Sequence, residues 1–191
     1  MTTARPTIRN SELDALATAF AEMAQWAPEV VAGLSEEQLQ WRPQPKRWSM
    51  AECIDHLNKT ADIYTPALQR GIEMGQQTRG DAPIRHGILG KLFLQAVSPE
   101  TKWRVATLKQ FRPPEKPPMG AVMTRFLAAQ EDFIDCVQRA DGLDLTKIKV
   151  RSPALKFLRL PLGTWLCVMR DHQLRHLNQA AQLRKRVDFP R

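Results

Sequence analysis

Cysteine is scarce in this chain of 191 residues: Cys53, Cys136 and Cys167 are the whole supply. A small, odd set does not build a disulfide framework, so the expectation is a protein of the reducing cytoplasm. Tyrosine occurs once and aromatic residues make up 7%, too few for a base-stacking platform. No apolar run approaches the roughly 20 residues that span a bilayer, and residues 1–6 carry no apolar signal-peptide core. The expectation is therefore no membrane partner. P-loop, GxGxxG, nucleophile-elbow and paired-carboxylate patterns are missing, so nucleotide binding, serine hydrolysis and glycoside chemistry lose their usual signals. There is no internal repeat and no low-complexity tract.

What is present suits one soluble domain over residues 1–191, with 43% hydrophobic and 25% charged residues. The net charge of +8 is unevenly placed. Residues 1–78 hold seven basic and ten acidic side chains, whereas residues 142–191 hold eleven and three. Such a basic half either keeps a solvated face soluble or meets an anionic partner. It offers no helix-turn-helix, so any DNA affinity is expected to be weak, non-specific and lost at physiological salt.

Helical periodicity dominates. A first helix starts near Asn10 or Ser11, with Leu13, Leu16, Ala17, Phe20, Met23 and Ala24 on one stripe, and runs out around Pro28 to Gly33. Ser49-Met50-Ala51-Glu52 reads as a capping box opening a second helix, which passes Ile54, Leu57, Ala61 and Tyr64 to about residue 70 with Pro66 as an expected kink. Residues 75–118 form a long, proline- and glycine-punctuated connection in which 84–97 could be a short helix. A third helix covers 119–140, with Val122, Phe126, Ala129, Phe133 and Val137 inward and Gly142 placed to end it. Pro161 suits the first turn of a fourth helix, reaching about residue 186. The expected fold is all-α, a four-helix bundle with a long crossover between helices two and three.

Of four histidines, His172 and His176 stand four apart on the stripe of Trp165, Met169, Ala180 and Leu183, and so point into the bundle. His56 lies beside the apolar stripe of helix two. Three inward imidazoles from two helices match a catalytic-type metal site with one open position; the alternative is three core histidines with polar partners. His86 has no spaced partner and is read as a surface residue.

At these residues the chain resembles a family. Trp48-Ser49-Met50-Ala51-Glu52-Cys53-Ile54-Asp55-His56-Leu57 is similar to the W-S-x-x-E-x-x-x-H-L segment of the DinB-like superfamily, which includes the YfiT-like metal-dependent hydrolases. Asp171-His172-Gln173-Leu174-Arg175-His176-Leu177-Asn178-Gln179 is similar to its closing H-x-x-x-H-x-x-Q helix, and Phe111-Arg112-Pro113-Pro114 to its proline-marked stretch before helix three. The resemblance runs from about residue 10 to 187. It implies a divalent ion, often nickel or zinc, on His56, His172 and His176. It also implies hydrolase chemistry or a transferase or isomerase using a low-molecular-weight thiol, and pairing as a homodimer.

Other residues carry two readings each. Glu52 is a cap or a general base beside His56. Cys53 is a core residue or a soft fourth ligand. Gln179 contacts substrate or bridges helices, and Arg175 and Arg170 line the site mouth or are solvated. Two functions follow: a metal-dependent enzyme acting on a small molecule between helices two and four, or a non-catalytic, stress-associated interaction bundle with a structural or vestigial metal.

Overall fold

The computed structural model describes residues 7–75, 78–80, 82–101 and 106–191. The reading of residues 1–6 and parts of the long connection therefore fall outside the described residues. Among the described residues six α-helices follow in order: α1 (Ser11–Val31), α2 (Glu36–Gln40), α3 (Met50–Met74), α4 (Gly87–Val97), α5 (Met119–Ala140) and α6 (Leu162–Arg184). A 3-10 turn spans Lys109–Phe111, and two short strands, β1 (Lys149–Arg151) and β2 (Arg159–Pro161), pair antiparallel with Val150 opposite Leu160. The chain is helical, as expected, and α1, α5, α3 and α6 close a ring in which each long helix packs on two others.

Local chemistry starts these helices where the residues predict. The Asn10 side chain accepts from the amides of Glu12 and Leu13, and acidic Glu12 and Asp14 face the positive end of α1. Ser49 and Glu52 complete the capping box of α3 in both directions. Helix α3 continues through Pro66 as one helix.

Helices α5 and α6 begin after prolines that offer no side-chain cap. Four amides at each start still need acceptors. For α5 the Glu36 carboxylate, from the unforeseen α2, takes the Met119 amide at 3.2 Å. For α6 the carbonyls of Ile148 and Leu145 take the amides of Leu162 and Gly163 at 2.8 and 3.2 Å. Pro161 was expected inside the helix; it ends β2 instead, opposite Lys149. The hairpin was not expected either; the chain just before β1 supplies those carbonyls, and Trp165 of α6 ties the helix to β1. The buried Trp165 indole donates to the Val150 carbonyl at 3.0 Å.

Phe20 stacks on Phe133 at 5.1 Å across α1 and α5, and Tyr64 and Phe93 pack on Trp165 at 5.1 and 5.5 Å. Gly163 is fitted tightly into this junction, since a Cβ there would meet Ile84 at 2.9 Å and Leu145 at 3.1 Å. Gly120, in the first turn of α5, faces open space. Gly163→Ala should therefore destabilise the fold by about 1–3 kcal/mol through overpacking, whereas Gly120→Ala should be neutral or stabilising by up to about 1 kcal/mol. Urea denaturation of the two variants checks this; equal effects would contradict the packing.

Candidate metal centre

His56 projects from α3, two turns after its Ser49 N-cap, and His172 and His176 project from consecutive turns of α6. Because α3 and α6 are packed neighbours, the three rings meet. One ring nitrogen of each lies within 4.8 Å of the others. The ring centroids are 4.6–5.0 Å apart, and the Trp48 indole covers His56 and His176 at 4.8 and 5.9 Å.

Hydrogen bonds fix the tautomers. The Phe111 carbonyl can only accept, so His56 carries its hydrogen on Nδ1, which donates at 2.7 Å. That leaves a lone pair on His56 Nε2. His176 Nδ1 donates in the same way to the Gln179 side-chain oxygen at 3.0 Å, and its Nε2 also keeps a lone pair. His56 Nε2 faces His172 Nε2 at 3.1 Å. With its hydrogen on Nε2, His172 donates to that lone pair; with the hydrogen on Nδ1, two lone pairs face each other and repel unless a cation lies between them. Nitrogens sharing one tetrahedral ion stand roughly 3.3–3.4 Å apart, given bonds of about 2.0–2.1 Å, so the observed spacing suits a common cation. His172 Nδ1 is buried and has no hydrogen-bond partner among the described residues.

Electrostatics agree with that donor set. Burial pushes His56 down to about 4, against its Phe111 hydrogen bond, and His176 down to about 3, with His56 and Arg175 adding to the fall. Burial, then the positive forms of His176 and His56, hold His172 well below the ordinary histidine value. All three are neutral at pH 7 and offer nitrogen lone pairs without first losing a proton. A neutral nitrogen set with no carboxylate or thiolate suits borderline ions such as zinc and nickel rather than calcium or magnesium.

The structure sorts the remaining candidates. Glu52 is buried, and its carboxylate accepts from the Ser49 amide at 2.9 Å and from Nε and Nη2 of Arg42, so the cap reading is realised. Cys53 is fully buried and stands outside the ligand group; burial pushes its thiol above the usual range, which keeps it protonated. Gln179 accepts from His176 Nδ1 one turn back on the same helix and so orients that ring. Arg175 binds the Ala96 and Ser98 carbonyls at 3.0 and 3.2 Å, at the negative end of α4, and so anchors the crossover to the histidine helix. Arg170 pairs with Asp171 at 2.7 Å. His86 is not a surface residue: it precedes α4, half-buried, and its Nδ1 lies 3.2 Å from the Thr164 hydroxyl because α4 lies across the start of α6.

Two contributors escaped the sequence reading. The Phe111 carbonyl gives no compositional signal, because any residue has one. Trp48 stood in the quoted Trp-Ser segment, yet nothing in spacing said that its ring covers two imidazoles.

Comparison with known proteins agrees with the geometry. The family model described as the DinB superfamily matches residues 19–180, and the chain belongs to that superfamily. An uncharacterized protein of Bacillus subtilis (strain 168), YuaE, is 24% identical over 157 residues, covering 82% of this chain and 89% of its own. No solved structure matches significantly.

Each histidine has a folded value below its ordinary 6.5, so the unfolded chain binds more protons as pH falls. The stability these rings contribute is whole above about pH 6.5 and is lost as pH falls toward 4. Metal-free protein should lose stability in denaturant titrations over that window, and a variant with all three replaced by Gln should lose distinctly less. Parallel curves would contradict the buried neutral rings. Gln179→Leu should weaken metal affinity about 10- to 100-fold in a competition titration while leaving the fold intact.

Proposed function

We propose that this DinB-superfamily chain is a metal-dependent enzyme of the cytoplasm acting on a small molecule, by hydrolysis or by transfer to a low-molecular-weight thiol. His56, His172 and His176 would hold one divalent ion, zinc or nickel. The observation that carries the reading is the pair of imidazole nitrogens facing each other at 3.1 Å, with Nδ1 of His56 and of His176 committed to fixed acceptors. When bound, the ion supplies Lewis acidity to an oxygen or sulfur nucleophile.

The chain's own residues do the rest. Phe111 and Gln179 hold two rings in the tautomer that presents Nε2 to the centre. Trp48 gives the centre an apolar wall against water. Glu52, held by Arg42 and Ser49, positions the first turn of α3 from which His56 is measured out. Arg175 adds positive charge beside His172 and His176, which disfavours their protonation and leaves them as donors.

A second reading, a non-catalytic interaction bundle with a structural metal, draws on the depth of the site. His56 is 5% exposed. An exchangeable ligand position on the ion separates the two.

Protein purified without nickel resin should contain about one divalent ion per chain. His56→Ala, His172→Ala or His176→Ala should each remove most of it, because two imidazoles lose the chelate. Chelator should lower the melting temperature of the wild type and not of the triple-Ala variant. Undiminished metal in His172→Ala would overturn the site. Metal-restored turnover of an ester, or of an electrophile with a thiol, would separate catalysis from a structural role.

A further inference from the structure

Acidic residues are absent from two stretches of the chain, 82–99 and 145–170. The fold brings these stretches together. Helix α4 lies in the first, the β1–β2 hairpin in the second, and α4 packs directly on β2 and on the start of α6. The shared region carries six exposed cations outside the Lys147–Asp144 ion pair: Arg85, Lys91, Lys149, Arg151, Lys156 and Arg159. None of the six has an ion-pair partner among the described residues.

The same region exposes large apolar side chains. On α4, Ile88 is 83% exposed, Leu89 63% and Leu92 58%, while Phe93, Leu94 and Val97 of the same helix pack on the core. In the hairpin loop Phe157 is fully exposed. This loop is built rather than slack. The Ser152 amide donates to the Leu158 carbonyl at 2.8 Å, the Ser152 hydroxyl accepts from the amides of Ala154 and Leu155, and Tyr64 lies 3.1 Å from that hydroxyl. A closed loop thus holds a phenyl ring in water between Lys156 and Arg159.

We propose that this face is a docking surface for an anionic lipid bilayer. Phe157 and the outer side of α4 enter the boundary between headgroups and acyl chains, and the six cations meet the lipid phosphates. A short amphipathic element combined with clustered lysine and arginine has the two components that peripheral binding needs: buried apolar area and attraction to a negative surface. This is a surface contact, which the want of a spanning helix among the described residues does not address.

Charge and chemistry decide against the other occupants. A symmetric contact with a second copy would set the same cations against themselves. Nucleic acid would satisfy the cations, yet exposed isoleucine and leucine do not stack on bases, and one phenylalanine makes a poor platform. An anionic bilayer uses both the charge and the aliphatic side chains. The metal site plays no part in this inference, so metal content serves as an independent control on folding.

The test is sedimentation of the full chain with vesicles of phosphatidylcholine alone or with about 30% phosphatidylglycerol, at roughly 0.1 M salt. The wild type should partition at least about tenfold more strongly onto the anionic vesicles. Phe157→Ser should reduce that partitioning several-fold with unchanged melting temperature and metal content, since the ring touches nothing that folding uses. Lys156→Glu with Arg159→Glu should reduce it further and flatten its salt dependence. Equal partitioning onto neutral and anionic vesicles would overturn the proposal. So would a Phe157→Ser variant that binds as the wild type does, or a DNA duplex that displaces the vesicles and binds both proteins equally, for then the face reads polyanions by charge alone.

Discussion

Three imidazoles, one buried and two half-buried, meet between two helices with no carboxylate to share their charge, and much of the structure follows from that. A buried ring must be neutral, and a neutral ring has one nitrogen that donates and one that accepts. Each therefore needs its hydrogen placed and its lone pair used. Phe111 and Gln179 place two hydrogens, which turns two lone pairs toward the centre. A lone pair facing the other imidazole at 3.1 Å is met by an Nε2–H of His172 in the metal-free protein, and the same spacing suits a shared cation.

Holding those rings in register is a task for the rest of the chain. The capping box fixes where α3 begins and hence the height of His56, and Arg42 holds the Glu52 carboxylate that completes the box. The crossover is tied to the site from two sides. The Phe111 carbonyl binds His56, and Arg175, one residue before His176, binds the end of α4. A long connection, which costs entropy to order, is thereby stapled to the helices that carry the ligands.

The same economy of partners appears at the helix starts. Prolines give α5 and α6 no side-chain cap, so a carboxylate of α2 and the carbonyls of Leu145 and Ile148 take that part. The small hairpin begins just after those two carbonyls, with Trp165 donating to the Val150 carbonyl in its first strand. Chain that could have been loose is made rigid there, and it carries Phe157 and its flanking cations outward. One region of the molecule is thus organised by buried imidazoles and another by exposed charge.

The sequence by itself determined the helices whose signals are local. Asn10 and the Ser49–Glu52 pair mark starts, and the apolar stripes through Phe20, Phe126 and Trp165 mark the faces that bury. It also determined the ligand candidates, because the four-residue step from His172 to His176 forces two rings onto one face and His56 lies on an inward stripe of another helix. What only the tertiary structure decided are relations between backbone groups distant in the chain. The Phe111 carbonyl beside His56, the Glu36 cap on α5, the hairpin beneath α6 and the half-buried His86 depend on groups that are identical in every residue or on pairings many positions apart. Periodicity reports which face of a helix is apolar. It does not report which neighbour's carbonyl will arrive there, because that is fixed by how the helices pack and not by any residue in the helix itself.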